Sequence, residues 1–151
     1  MVRINQKYIN WMRLALGFIF IASSLLKVYS FRAFVVEVDE YIDFYMPQWL
    51  HGWNMLCAIG VCVLELTVGL LAFWGKQARR MSCLSLLLLT FFVWLTGVNL
   101  FFPTIYGSVE SCGCFGELIH FTPLGSFWKS MVLWILALVL CVEILTGRRH
   151  A

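Results

Sequence analysis

Residues 82–102, SCLSLLLLTFFVWLTGVNLFF, contain no charged side chain. This run constrains the fold more than any other feature of the chain. A helix rising about 1.5 Å per residue needs about 20 residues to cross a hydrocarbon core of roughly 30 Å. Of the 151 residues, 62% are hydrophobic and 13% are charged. A soluble domain of this size leaves too much of its surface exposed to hide that much apolar area. The sequence therefore reads as an integral membrane protein. Its net charge of +3 is no nucleic-acid signal, because the basic residues cluster at the ends of apolar runs, where membrane topology accounts for them.

Four spans are read, at about residues 9–29, 53–74, 82–102 and 127–146. They are continuous and Leu-rich rather than alternating, which argues against strands. Helices then remain as the way to satisfy every backbone amide inside lipid. The expected fold is an all-α membrane protein, a four-transmembrane-helix antiparallel bundle forming a single domain over residues 1–151.

The positive charges set an expected orientation. Arg3, Lys7, Arg13, Lys76, Arg79, Arg80, Arg148 and Arg149 fall on one side, whereas Lys27, Arg32 and Lys129 fall on the other. The positive-inside rule places both termini in the cytoplasm. Segments 30–52 and 103–126 then face outward, into the periplasm of a bacterium whose inner membrane holds the chain. Reading the first span as a signal peptide cut near Ala22-Ser23-Ser24 would leave an odd number of spans and upset this asymmetry.

The first outward segment carries Phe31, Phe34, Val35, Val38, Tyr41, Ile42 and Tyr45 at helical spacing, with Arg32, Glu37, Asp39, Glu40 and Asp43 between them. That pattern predicts an amphipathic outer-face helix, ended by Pro47, with the acidic run as its solvated side.

Ionisable residues within a span cost several kcal/mol unless paired or neutralised, so each requires a reason. Glu65 falls near the midplane, protonated or partnered. Arg13 and Glu143 lie at equal depth in the first and last spans and are expected to form a structural ion pair. Lys27 lies close to the outer end of its span, from which it could snorkel to the surface; pairing with Glu65 would require it to lie deeper than this boundary places it. Asn99 is also in the outer third, so Lys27, Cys57 and Asn99 are expected to line one pocket.

Six cysteines are present, and two of them, Cys112 and Cys114, flank Gly113 in the second outward segment. In an oxidising compartment such a pair tends to close as a disulfide. A bridge between cysteines two apart is tight, Gly113 eases its backbone, and strain makes a disulfide easier to reduce. The loop it closes is too short for much entropic stabilisation. Redox exchange therefore heads the readings, before structural bridging, metal binding and inert thiols. No metal site is expected, since His51 and His120 stand at no ligand spacing and read as interfacial. Cys62, Cys83 and Cys141 read as small buried hydrophobes. Cys57 lies about one turn inside its span, within reach of a relay to Cys112 or Cys114.

With RLALGFIFIASSLLKV, FRAF, YIDFYMP, ELTVGLLAFWG, CGCFG and FWKS on the page, the chain resembles the MauE/DoxX-like family of redox-associated four-helix membrane proteins. The most specific match is the family's CGCFG signature at Cys112, Gly113, Cys114, Phe115 and Gly116. The family's span-two glutamate matches Glu65. An acidic residue often precedes the first signature cysteine; here Ser111 does, with Glu110 one place earlier.

The resemblance implies links to methylamine utilisation, through a thioredoxin-like partner that makes or reshuffles disulfides in a secreted dehydrogenase. Through the DoxX branch it implies quinone reduction. The expected function is a membrane thiol–disulfide redox protein, with Cys112 and Cys114 as the exchanging pair. It would work with a periplasmic thioredoxin-like protein and a quinone acceptor. The alternative is a non-catalytic membrane subunit or assembly factor whose cysteines only lock the outer loop. A small transporter using Glu65 is a third reading, carried by one buried acid alone.

Overall fold

The computed structural model describes residues 5–102 and 122–147. These form five helices: α1 (Gln6–Tyr29), α2 (Phe31–Tyr45), α3 (Asn54–Phe73), α4 (Ala78–Phe101) and α5 (Pro123–Gly147). All except α2 are long and apolar enough to cross a membrane. The described chain is thus the expected helical membrane protein. Cys112, Gly113, Cys114, Phe115, Gly116 and His120 lie outside the described residues.

α1, α4 and α5 start earlier than the apolar runs suggest, because polar first turns continue the helical backbone. Asn5 caps α1, its side chain accepting from the Lys7 amide at 3.2 Å. In α4 the helix already includes Arg79 and Arg80. In α5, Pro123 occupies the first turn, where its missing N–H costs nothing, and Thr122 Oγ1 accepts from the Gly125 amide at 3.2 Å.

The spanning helices pack chiefly as two pairs, α1 on α3 and α4 on α5. Small residues allow both close approaches, as expected where lipid offers no hydrophobic drive between helices. Gly17 faces Ala72 and Gly69 faces Ile21 across the first pair. Ser82, Ser85, Ser126, Ser130 and Ala137 are fully or almost fully buried in α4 and α5. Between those helices Trp134 Nε1 donates to Thr90 Oγ1 at 2.9 Å.

The amphipathic helix exists and is docked. Phe34, Tyr41 and Ile42 of α2 are buried, with Phe34 against Ala58 and Cys62 of α3 and Tyr41 against Leu95 of α4. Its acidic run is only partly solvated. Glu40 and Asp43 are exposed, but Glu37 lines a cavity and Asp39 Oδ1 accepts from Asn54 Nδ2 at 3.0 Å. Replacing Asn54 with leucine removes that clasp, worth about 1 kcal/mol. Amide exchange in α2 should then accelerate roughly fivefold while α3 stays protected, as hydrogen-exchange mass spectrometry can read.

Candidate functional site

The site grows from the register of α1 against α3. Gly17 meets Ala72, and Ser24 Oγ donates to the Cys62 carbonyl at 3.0 Å. Ser24, five residues before the end of α1, is therefore level with Cys62, which leaves that end about one turn short of the start of α3, and α3 projects beyond it. The chain reverses at Ser30 and α2 fills the notch, placing Phe34 over the end of α1.

This geometry corrects the expectation for Lys27. The side chain does not snorkel; it is 0% exposed and its ammonium contacts Glu65 Oε1 at 2.5 Å, with Glu65 itself 1% exposed. Lys27 Nζ also donates to Ser23 Oγ at 3.1 Å, and Ser23 Oγ donates to Glu65 Oε2 at 3.3 Å. The rings of Phe34 and Phe92 close over the ammonium, with centroids 5.4 and 5.1 Å away. Covered by α2, the lysine has no apolar path to an interface. A fully enclosed charge pair remains, held by hydrogen bonds as burial requires.

A second cation belongs to this group. Lys129 of α5 lines the same small cavity as Ser23, Glu65 and Ser130, and its charge acts on the Glu65 carboxylate. Sequence reasoning missed it as a partner of Glu65. The available signal was the spacing of Ser126, Lys129 and Ser130, which share one helix face. Asn99 is likewise buried, in α4.

Cys57 lines a separate apolar cavity of about 180 Å³ between α2, α3 and α4. Phe34, Glu37, Tyr41, Phe91 and Phe92 also wall it, whereas Lys27 and Asn99 do not. The expected common pocket is therefore divided. Phe34 and Phe92 stand between the Cys57 cavity and Lys27, touching both. The Cys57 cavity reaches outward to Met46 and Leu50, beyond the end of α2, whereas the Glu65 cavity lies deeper, walled by Phe20 and by Leu89 at the middle of α4.

Two further expectations change. Arg13 and Glu143 line one cavity at the opposite end, yet among the described residues no ion pair joins them. Cys62 and Cys141 are buried as read, but Cys83 is exposed, at the edge of the α4–α5 contact. Its thiol lies within hydrogen-bonding reach of Cys141 in α5.

Comparison with known proteins supplies the remaining context. The family model described as methylamine utilisation protein MauE matches residues 5–143. Among curated proteins, Protein TlpB of Flavobacterium psychrophilum is 28% identical over 137 residues, covering 87% of this chain and 36% of that protein. The chain thus spans about a third of the length of that curated relative. No solved structure matches.

Proposed function

The chain belongs to the MauE family, and from that premise we propose that it is a thiol–disulfide redox protein of the bacterial inner membrane. The basic clusters orient it with both termini cytoplasmic, so that the 103–121 connection, carrying Cys112 and Cys114, faces the periplasm. A thiolate of a thioredoxin-like partner attacks one sulfur of the Cys112–Cys114 disulfide. One S–S bond breaks, and a mixed disulfide forms. The partner's second thiol resolves it, leaving the partner oxidised and the Cys-Gly-Cys pair as two thiols.

The observation that carries this reading is the Cys57 cavity, walled by aromatic rings between α2, α3 and α4 in the half of the bundle where α4 ends and the 103–121 connection begins. The cavity's residues suit a flat apolar ring such as a quinone: Phe34, Phe91 and Phe92 offer faces, and Tyr41 and Glu37 offer polar atoms. A quinone bound there would supply an acceptor for two electrons and two protons. Cys57 would relay the thiols' reducing equivalents from loop to ring, two electrons and two protons for each Cys112–Cys114 disulfide re-formed. The enclosed Lys27–Glu65 pair, with Lys129, holds the polar floor on the other side of the rings.

The test uses a thioredoxin-like protein whose resolving cysteine is replaced by serine, incubated with the full chain in membranes. A trapped mixed disulfide is expected with the native chain and lost when Cys112 and Cys114 are both serine. Cys57→Ser should trap normally but slow re-oxidation of the pair, read by thiol labelling. Equal trapping without either loop cysteine refutes the exchange. A loop bridge that resists mild reductant would favour a locking role in an assembly factor instead.

A further inference from the structure

At the end of the bundle opposite α2, α1, α4 and α5 enclose a polar cavity of about 250 Å³. Its charged walls are Arg13 from α1, Arg79 from α4 and Glu143 from α5, with the Gln6 amide beside them. Two cations face one anion, so the cavity carries a surplus positive charge. The Arg13 Nε is buried and has no hydrogen-bond partner. An enclosed guanidinium donor left this way costs about 1–3 kcal/mol, a cost that an ordered water or a bound anion relieves.

The space around it is built for a visitor of a certain kind. Gly75 faces the guanidinium, and a Cβ placed there would come within 3.3 Å of one of its terminal nitrogens. Glycine thereby leaves the fork of Arg13 open toward the cavity. Guanidinium groups match the oxygens of phosphate with paired hydrogen bonds, unlike the point charge of lysine. Tyr8, Trp11 and Trp74, all well exposed, ring this end of the bundle and mark the depth at which lipid headgroups lie.

We propose that this cavity binds the phosphate group of an anionic phospholipid, gripped between Arg13 and Arg79. Basic pockets between spanning helices recognise headgroups by this chemistry. Arg13 supplies the enclosed fork, and Arg79 closes the site from the exposed side of α4. Glu143 supplies the α5 wall, where its charge favours a singly charged phosphodiester over a doubly charged phosphate.

The experiment measures phosphatidylglycerol retained by the purified protein in native mass spectrometry, with phosphatidylcholine as the neutral comparison. Retention of the anionic lipid should fall roughly tenfold in Arg13→Gln, as loss of one charged hydrogen-bonding group predicts. Arg79→Gln, on an exposed position that the fold tolerates, should lower it severalfold. Glu143→Gln should preserve or raise it, and Lys7→Gln, exposed at the same end, should leave it unchanged. Equal retention in Arg13→Gln and Arg79→Gln overturns the proposal. So does equal retention of both lipids, or displacement of the lipid by millimolar inorganic phosphate, which would assign the cavity to the free anion.

Discussion

Replacing Glu65 with leucine is expected to destabilise the bundle by about 3–5 kcal/mol, the range for breaking a buried ion pair from one side. Lys27 would then be stranded at 0% exposure beneath two phenyl rings, with Ser23 as its remaining hydrogen-bond partner in that cluster. Lys27→Met should cost less, because Lys129 still faces the abandoned carboxylate. The double variant Lys27→Met with Glu65→Leu should recover most of the loss. Two apolar side chains of similar volume need neither charge nor partner, and such replacements are often neutral or stabilising. Unfolding in detergent micelles titrated with denaturing surfactant gives the three numbers. A double variant as unstable as Glu65→Leu would mean that the cluster is held by packing and not by charge. A single-variant loss below about 1 kcal/mol would mean that the carboxylate reaches water.

That ranking depends on facts the sequence carries unevenly. The spanning helices are legible because their uncharged runs match the thickness of a bilayer, and α2 because its apolar residues recur at helical spacing. Depth within a helix is legible too, but depth alone does not say which residues meet. Arg13 and Glu143 share a depth, yet α1 packs mainly on α3 and α5 mainly on α4, so both face a cavity between them. Lys27 was misplaced for the converse reason. Aligning the ends of α1 and α3 places it too shallow, whereas Ser24 bonds the Cys62 carbonyl and draws the end of α1 inward relative to α3. No pattern in one span announces its axial offset from another. Cys83 reads as core by residue type and is exposed at the edge of the α4–α5 contact, since a lipid-facing surface tolerates the same residues as the interior.

The offset itself makes the second large prediction. A Cβ at Gly17 would collide with the Ala72 methyl and come within 3.1 Å of the Gly69 carbonyl oxygen, while one at Gly69 would come within 3.0 Å of the Gly17 carbonyl oxygen. At this crossing α1 and α3 touch backbone to backbone, so Gly17→Leu cannot be absorbed by a rotamer. The helices must part, at the cost of about 1–3 kcal/mol for overpacking. Parting them also strains the Ser24–Cys62 and Lys27–Glu65 contacts farther along the same interface. Glu65→Leu added to Gly17→Leu should therefore cost less than it does alone, with a coupling of at least about 1 kcal/mol in a double-mutant cycle. Additivity within about 0.5 kcal/mol would show that the crossing and the ion pair are independent. Two comparisons separate crowding from the mere addition of carbon. Gly60→Ala meets nothing within 4 Å and should be neutral or stabilising, as alanine favours the helix by up to about 1 kcal/mol. Gly17→Ala combined with Ala72→Gly moves one methyl across the interface without widening it. That pair should restore most of what Gly17→Ala alone removes, because the crossing needs one small gap and is indifferent to which helix supplies it.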